Sequence, residues 1–249
     1  MGGRTVEGKG PGPTAVGGRQ GEEPAGALLM RMFEAMAGHF GPRNWWPGDS
    51  PFEVAVGAVL TQNTAWRNVE KALALLRAKN VLRPKLLWEL PVDILEEALR
   101  PSGFFRLKTQ RLRNLLNYMR SFPEWDRAPG DVSLEFMQGK PSAQLRNELL
   151  SVRGIGPETA DSILLYALMR PSFVADAYSR RIFSRHGLLP EDASYNRMRD
   201  FFMDVLALDT GLFNEYHALI VSTGHSFCKK TNPLCYQCPL QRFGGHGLV

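Results

Sequence analysis

Long apolar runs are missing from this chain. None of its 249 residues lies in an uninterrupted stretch of 18 apolar residues, the length at which a membrane-spanning helix comes into question. Cysteine is scarce: three occur, all between positions 228 and 238, which excludes the disulfide framework of a small secreted domain and leaves metal binding or no role. The N-terminus lacks the charged, apolar and cleavage segments of a secretory signal, so the chain reads as cytoplasmic. Strand-length alternation of apolar and polar residues is absent, and so is an internal repeat.

Acidic residues are in the minority. Thirty Lys and Arg against 25 Asp and Glu give a net charge of +5 and a pI near 9.2. That surplus suits a nucleic-acid partner without requiring one. Hydrophobic residues make up 44%, enough to bury a real core.

Residues 1–24 carry Gly, Pro, Arg and Glu and almost no large apolar side chain. Such a segment cannot offset its ordering entropy and reads as a disordered tail. Helical periodicity starts at Ala25 and stops at Gly41–Pro42. Ser50 followed by Glu53 reads as a capping box at the start of an apolar helix over 51–61. Further helices are expected at 65–78, 84–88, 92–99, 105–121, 132–137, 142–151, 157–169, 177–185, 194–207 and 212–223, separated by Gly, Pro, Asn and Asp. The fold class is all-α.

The stretch "LLSVRGIGPETADSI", residues 149–163, places two glycines between two helical patterns. Pro157 sits where a first helical turn tolerates it. This is a helix–hairpin–helix. Its glycines permit a close approach of backbone to another group, and the second helix offers amides to a phosphate. Arg153 adds charge, and the hairpin carbonyls are candidate cation ligands. A plain tight turn between packed helices reads equally well from these residues alone.

Asp176 lies 20 residues beyond Gly156, in "FVADAYSRR". With "SPFEVAVGAVLTQNT", "VRGIGPETAD" and "FCKKTNPLCYQCPL" in order, residues 25–242 resemble the helix–hairpin–helix, Gly/Pro-rich, Asp superfamily of base-excision DNA glycosylases, endonuclease III among them. The bifunctional members carry a Schiff-base lysine where this chain has Glu158. A carboxylate cannot do an amine's chemistry. The resemblance is therefore nearest to the monofunctional 3-methyladenine branch, and "NWWPGDSPFE" and "TQNTAW" agree with it.

The resemblance implies that a damaged nucleotide is flipped out of double-stranded DNA by a monomeric enzyme. Gln62 and Asn63 become candidates to fill the gap; the alternative is that they cap a helix end. Alkylated purines carry positive charge, which an aromatic face attracts. Trp45, Trp46 and Trp66, with Pro47 as an apolar wall, are the pocket candidates, although at least one tryptophan is expected to be core. Glu158 would complement the base, or else be an ordinary first-turn acid. Asp176 would stabilise the cationic sugar and guide the attacking water, and it also reads as a helix N-cap. Asp161 suits a structural role better. Gly154, Ile155, Gly156 and Arg153 would meet the DNA backbone. Lys108, Arg111, Arg180, Arg181 and Arg185 are further phosphate candidates on a basic face.

Cys228, Cys235 and Cys238 follow C-x6-C-x2-C. The family extends this to a fourth cysteine and a [4Fe–4S] cluster, but that place here is Gly244. The set is one short of full cysteine ligation. His246 or His225 could substitute, a zinc site of three Cys and one His is chemically open, and the tail could equally be cluster-free. Any cluster would be structural. The domain division implied is a helical barrel over 49–169, ending in the hairpin, and a second domain joining 25–48 to 170–249. Two other readings remain: a bifunctional glycosylase and AP lyase using another lysine, and a non-catalytic DNA-binding module.

Overall fold

The structure is a computed structural model, and it describes residues 24–43, 45, 48–125 and 133–244. The N-terminal tail, Trp46, Pro47 and His246 lie outside the described residues. Among the described residues there are only helices, turns and loops, with no strand.

Eleven α-helices are described. In chain order they are α1 (Ala25–Phe40), α2 (Pro51–Leu60), α3 (Trp66–Ala78), α4 (Pro84–Glu89), α5 (Val92–Leu99), α6 (Phe105–Arg120), α7 (Ser142–Ser151), α8 (Pro157–Ser162), α9 (Ala177–Arg185), α10 (Tyr195–Met203) and α11 (Thr210–Ser226). None is long and apolar enough to cross a membrane. Helix α2 is buried on nearly every face, from Phe52 to Gly57 and again at Val59 and Leu60, as an all-round apolar helix must be. It packs against α3, α6 and α8. Helix α11 packs against α1 on one side and α9 on another.

The α9–α11 contact depends on Gly224. A Cβ there would stand 2.2 Å from Cδ1 of Tyr178, so no larger residue fits without moving one helix. That close approach brings the start of α9 against the last turn of α11.

Four expectations change. Ser50 accepts from the Glu53 amide at 3.2 Å, but the return half of the capping box does not form. The Glu53 carboxylate is buried and paired with Arg77, because an ion pair across helices outcompetes a backbone amide already near water. The helix expected over 157–169 is α-helical only to Ser162. Residues Ile163–Ala167 widen into a π turn, with Leu168 N–H donating to the Ile163 carbonyl at 3.0 Å. Such turns concentrate at functional sites. Of the described part of 132–137, residues 133–137, only Glu135–Met137 forms a short 3₁₀ turn. Finally, α10 ends at Met203 rather than 207, while α11 runs longer than expected, from Thr210 to Ser226.

Candidate active site

The hairpin forms as the sequence predicts. Helix α7 buries Leu145 and Leu149, the chain turns through Gly154 at φ +95, and Pro157 opens α8 behind the N-cap Gly156. The two glycines differ in kind. A Cβ at Gly154 would meet Arg111 Cγ at 2.5 Å in a backbone conformation side chains avoid. A Cβ at Gly156 would stand in open space. The fold needs the first glycine; nothing in the protein itself needs the second.

The "TQN" segment reaches this turn. Gln62 Nε2 donates to the Gly154 carbonyl at 3.0 Å and to Thr159 Oγ1 at 2.9 Å. Arg111 donates to Gln62 Oε1. Gln62 is thus held on both ends of its amide, and Asn63 beside it is exposed at φ +53. Asn114 donates to the Arg153 carbonyl at 2.8 Å, and the Ile155 amide to the Val152 carbonyl at 3.0 Å. The candidate cation-binding carbonyls of the hairpin therefore already accept hydrogen bonds. The Arg153 side chain is exposed, while Ile155 is buried as a hairpin anchor.

Asp176 is the N-cap of α9. Its Oδ1 accepts from the Ser179 amide at 2.8 Å and from the Ser179 hydroxyl at 3.1 Å. Its Oδ2 lies 3.6 Å from His217 Nε2, and 14% of its side chain remains exposed. Burial alone would push the carboxyl up, but His217 and the two Ser179 contacts outweigh it and hold Asp176 below the usual aspartate range. Glu158 moves the opposite way: loss of solvation, then the Asp176 charge, raises it, with His217 opposing. The Glu158 residue as a whole is nevertheless open to solvent, so the crowding acts on its carboxyl from the side of the protein. Two carboxyls within electrostatic reach, pushed apart in acidity, are the pattern of an acid–base site.

Asp161 has the structural role. It is fully buried, bonded to Arg146 at 2.8 and 2.9 Å, to Ser172 at 2.5 Å and 3.3 Å from Arg199. Periodicity missed His217 and Tyr166. Both are buried, and the Tyr166 hydroxyl is 2.5 Å from His217 Nδ1. The only sequence signal was a histidine inside the apolar run "EYHALIV". Also missed was Phe104, 70% exposed and left-handed at φ +44 in front of α6.

Several basic candidates are spent elsewhere. Lys108 is 1% exposed and donates to the Leu60 carbonyl at 2.8 Å, to Thr64 Oγ1 at 2.6 Å and to the Ser102 carbonyl at 2.5 Å. It is a buried pin, not a phosphate ligand. Arg111 covers Gly154 and holds Gln62. Arg181 donates to the Cys228 and Gly224 carbonyls, and Arg185 to Cys228 Sγ at 3.3 Å and to the Lys229 and Lys230 carbonyls. Arg180 donates to the Glu191 carbonyl at 3.3 Å. Trp66 is half-buried against the core, with its ring over Gly57. Trp45 is half-buried against the core. The Arg43 amide donates to Glu215 Oε1 at 2.5 Å, tying the tryptophan loop to α11.

The three cysteines are free thiols. They line a cavity of about 430 Å³ beneath the C-terminal loop, apart from Asp176, and Gly244 lines the same cavity. Burial first, then Cys228 and Cys235, raises the Cys238 thiol. Gly244 offers no donor where the fourth cysteine is expected. Among the described residues, no three Cys, His, Asp or Glu side chains form a group able to hold a metal ion. The thiols present supply at most three corners of a cluster.

An all-helical fold, a glycine hairpin and a capping aspartate beside a raised glutamate define a DNA glycosylase of the helix–hairpin–helix class. The chain belongs to the HhH-GPD superfamily of base excision DNA repair proteins, whose family model matches residues 56–207. It is 41% identical over 216 residues, 87% of this chain and 95% of the relative, to MJ1434 of Methanocaldococcus jannaschii, provisionally named a DNA repair glycosylase. In structure it is similar to 3-methyladenine DNA glycosylase MagIII of H. pylori bound to 1,N6-ethenoadenine, at 28% identity and a TM-score of 0.66, covering 81% of this chain and 97% of that one. It also shares its fold with endonuclease III trapped as a covalent DNA intermediate, at 22% identity and a TM-score of 0.69, covering 88% of this chain and 94% of that one.

Proposed function

We propose that this base-excision repair glycosylase is monofunctional and hydrolyses the N-glycosidic bond of alkylated purines of the 3-methyladenine type. The observation that carries the reading is Glu158, a carboxylate within electrostatic reach of Asp176 at the mouth of the hairpin helix. An acid there can meet a cationic base; it cannot form a Schiff base. The likeness to a 3-methyladenine glycosylase supports the same choice.

In this reading the barrel over 49–169 and the domain joining 25–48 to 170–249 face each other across the DNA. Gly156, with open space where a side chain would be, lets a phosphate approach the amides at the start of α8, and Arg153 adds charge. Asn63, exposed and left-handed, enters the gap left by the flipped nucleotide. Gln62 holds that loop to the hairpin. Phe104, also exposed and left-handed, is a second wedge, joined to the first because Lys108 bonds both Thr64 and the Ser102 carbonyl. Trp45, Trp46 and Pro47 receive the base and Glu158 complements its charge.

The base leaves with the electron pair of the C1′–N bond and is neutral once free, because alkylation had made it cationic. The sugar is left positive. Asp176 Oδ2 faces that charge while Oδ1 stays in the cap. Water adds to C1′, and its proton passes to Asp176 or to solvent. A [4Fe–4S] cluster, where bound, would rest on Cys228, Cys235 and Cys238 and would brace the loop that Arg181 and Arg185 join to α9; hydrolysis of this bond needs no electron transfer. Three free thiols suit a reducing compartment, so we place the protein in the cytoplasm, acting as a monomer.

The test is incubation with methylated duplex DNA and chromatography of the released bases. Free 3-methyladenine is expected. Release of oxidised pyrimidines with strand scission would assign a bifunctional lyase instead. Binding without any release would leave only a DNA-binding module.

A further inference from the structure

His217 has no part in the chemistry described above, yet it sits behind the reacting carboxylate. It lies in the middle of α11 and is 8% exposed. Its two ring nitrogens face different partners. Nδ1 is 2.5 Å from the Tyr166 hydroxyl, which the π turn carries. Nε2 is buried without a hydrogen bond and points toward Asp176 Oδ2 at 3.6 Å.

The tautomer follows from Tyr166. Its phenol is fully buried, and burial, then the charges of Asp176 and Glu158, raise it well above its ordinary range. It keeps its proton and is paired with Nδ1. With Nε2 facing the Asp176 carboxylate, the arrangement places a hydrogen on Nε2. The nearest Asp176 oxygen to Nε2, at 3.6 Å, is Oδ2, the one the helix cap leaves over. The contact is long for a hydrogen bond, as catalytic contacts often are before substrate binds. The titratable groups facing His217 are Asp176 from the start of α9, Glu158 from α8 and Tyr166 from the π turn.

We propose that His217 is a positioning residue for Asp176: fixed by Tyr166, it presents Nε2–H to Oδ2 and keeps that carboxylate ionised and turned toward the sugar. The proposal rests on the reading of Asp176 as the catalytic carboxylate. Without His217, Asp176 keeps only its cap contacts. Burial then raises it, and a larger fraction is protonated at a given pH.

The experiment compares wild type, His217→Phe, His217→Gln and Tyr166→Phe. Single-turnover base release from methylated duplex DNA is followed across pH, with binding to a duplex containing a tetrahydrofuran abasic analogue as control. His217→Phe is expected to slow release at least about tenfold with analogue affinity unchanged, and to move the acid limb upward by about one pH unit. His217→Gln retains a neutral donor and restores most of the rate. Tyr166→Phe shifts the limb the same way by less, and it carries the comparison if His217→Phe does not fold. A loss equal at every pH, or one that follows DNA affinity, overturns the proposal. A second readout is the titration of the Asp176 carboxyl followed by carbon NMR without DNA. If wild type releases no base, the glycosylase reading fails, but an upward shift of that titration in His217→Phe still supports the positioning role. No shift there overturns it.

Discussion

The side-chain amide of Gln62 donates to the carbonyl of Gly154 at 3.0 Å, joining residues 92 positions apart. It couples the segment proposed to enter the duplex to the turn proposed to grip its backbone. Arg111 closes the arrangement by bonding Gln62 and lying over Gly154. The "TQN" segment and the hairpin turn are therefore held in one relative geometry by side chains of the protein itself.

The glycines of that turn separate fold from function. Gly154→Ala is expected to destabilise the protein by about 1 kcal/mol or more, through its positive φ and the clash with Arg111. Gly156→Ala should leave the melting temperature nearly unchanged and weaken duplex binding at least severalfold. Thermal melting and fluorescence anisotropy on the same two variants check both statements.

Asp176 and Asp161 should fail differently. Asn is as good an N-cap as Asp, so Asp176→Asn is expected to fold with little loss and to slow base release by about a hundredfold or more. Asp161→Asn removes the fully buried charge partner of the partly buried Arg146 and Arg199 and should cost about 3 kcal/mol of stability. Urea denaturation and single-turnover kinetics distinguish the pair.

Glu158 is raised in the folded state. Its charge therefore costs stability above the folded value, and this cost vanishes below about pH 4.5, the ordinary glutamate value. Glu158→Gln should raise thermal stability slightly at neutral pH and leave it unchanged well below pH 4.5, while discrimination for cationic bases falls. Borohydride should trap no covalent DNA adduct with wild type; Glu158→Lys restores an amine at this place and is expected to trap.

Lys108 is pulled down to about 8, mainly by burial and secondarily by Arg111. Its folded value lies below its unfolded one, so the unfolded chain binds the extra proton between the two. Its contribution makes stability rise with pH from about 8 to about 10.5, the ordinary lysine value. Lys108→Met should flatten that slope in pH-dependent chemical denaturation. It should also loosen the Thr64 and Ser102 turns, visible as faster amide exchange there.

The legible part of this protein was local. Apolar spacing placed the helices, because 3.6-residue periodicity is written in neighbouring residues. The hairpin and the Asp176 cap were legible for the same reason: a cap bonds a residue three positions on. The Ser50 cap was read correctly and its Glu53 partner was not, because Arg77, 24 residues away, claimed the carboxylate. The basic residues misled in the same way. A lysine or arginine looks alike in sequence whether it faces a phosphate or pins a loop.

The sequence by itself determined the helices, the order of the motifs, the two different aspartates and the missing lysine and cysteine. Only the tertiary structure decided that Lys108, Arg181 and Arg185 bond to backbone carbonyls of the protein, that Trp66 lies over Gly57, and that Tyr166 and His217, 51 positions apart, meet behind Asp176. The physical reason is range. Capping and periodicity act within a few residues, whereas the partner of a buried polar group is fixed by how helices pack, as Gly224 shows by admitting Tyr178 and setting α9 against α11.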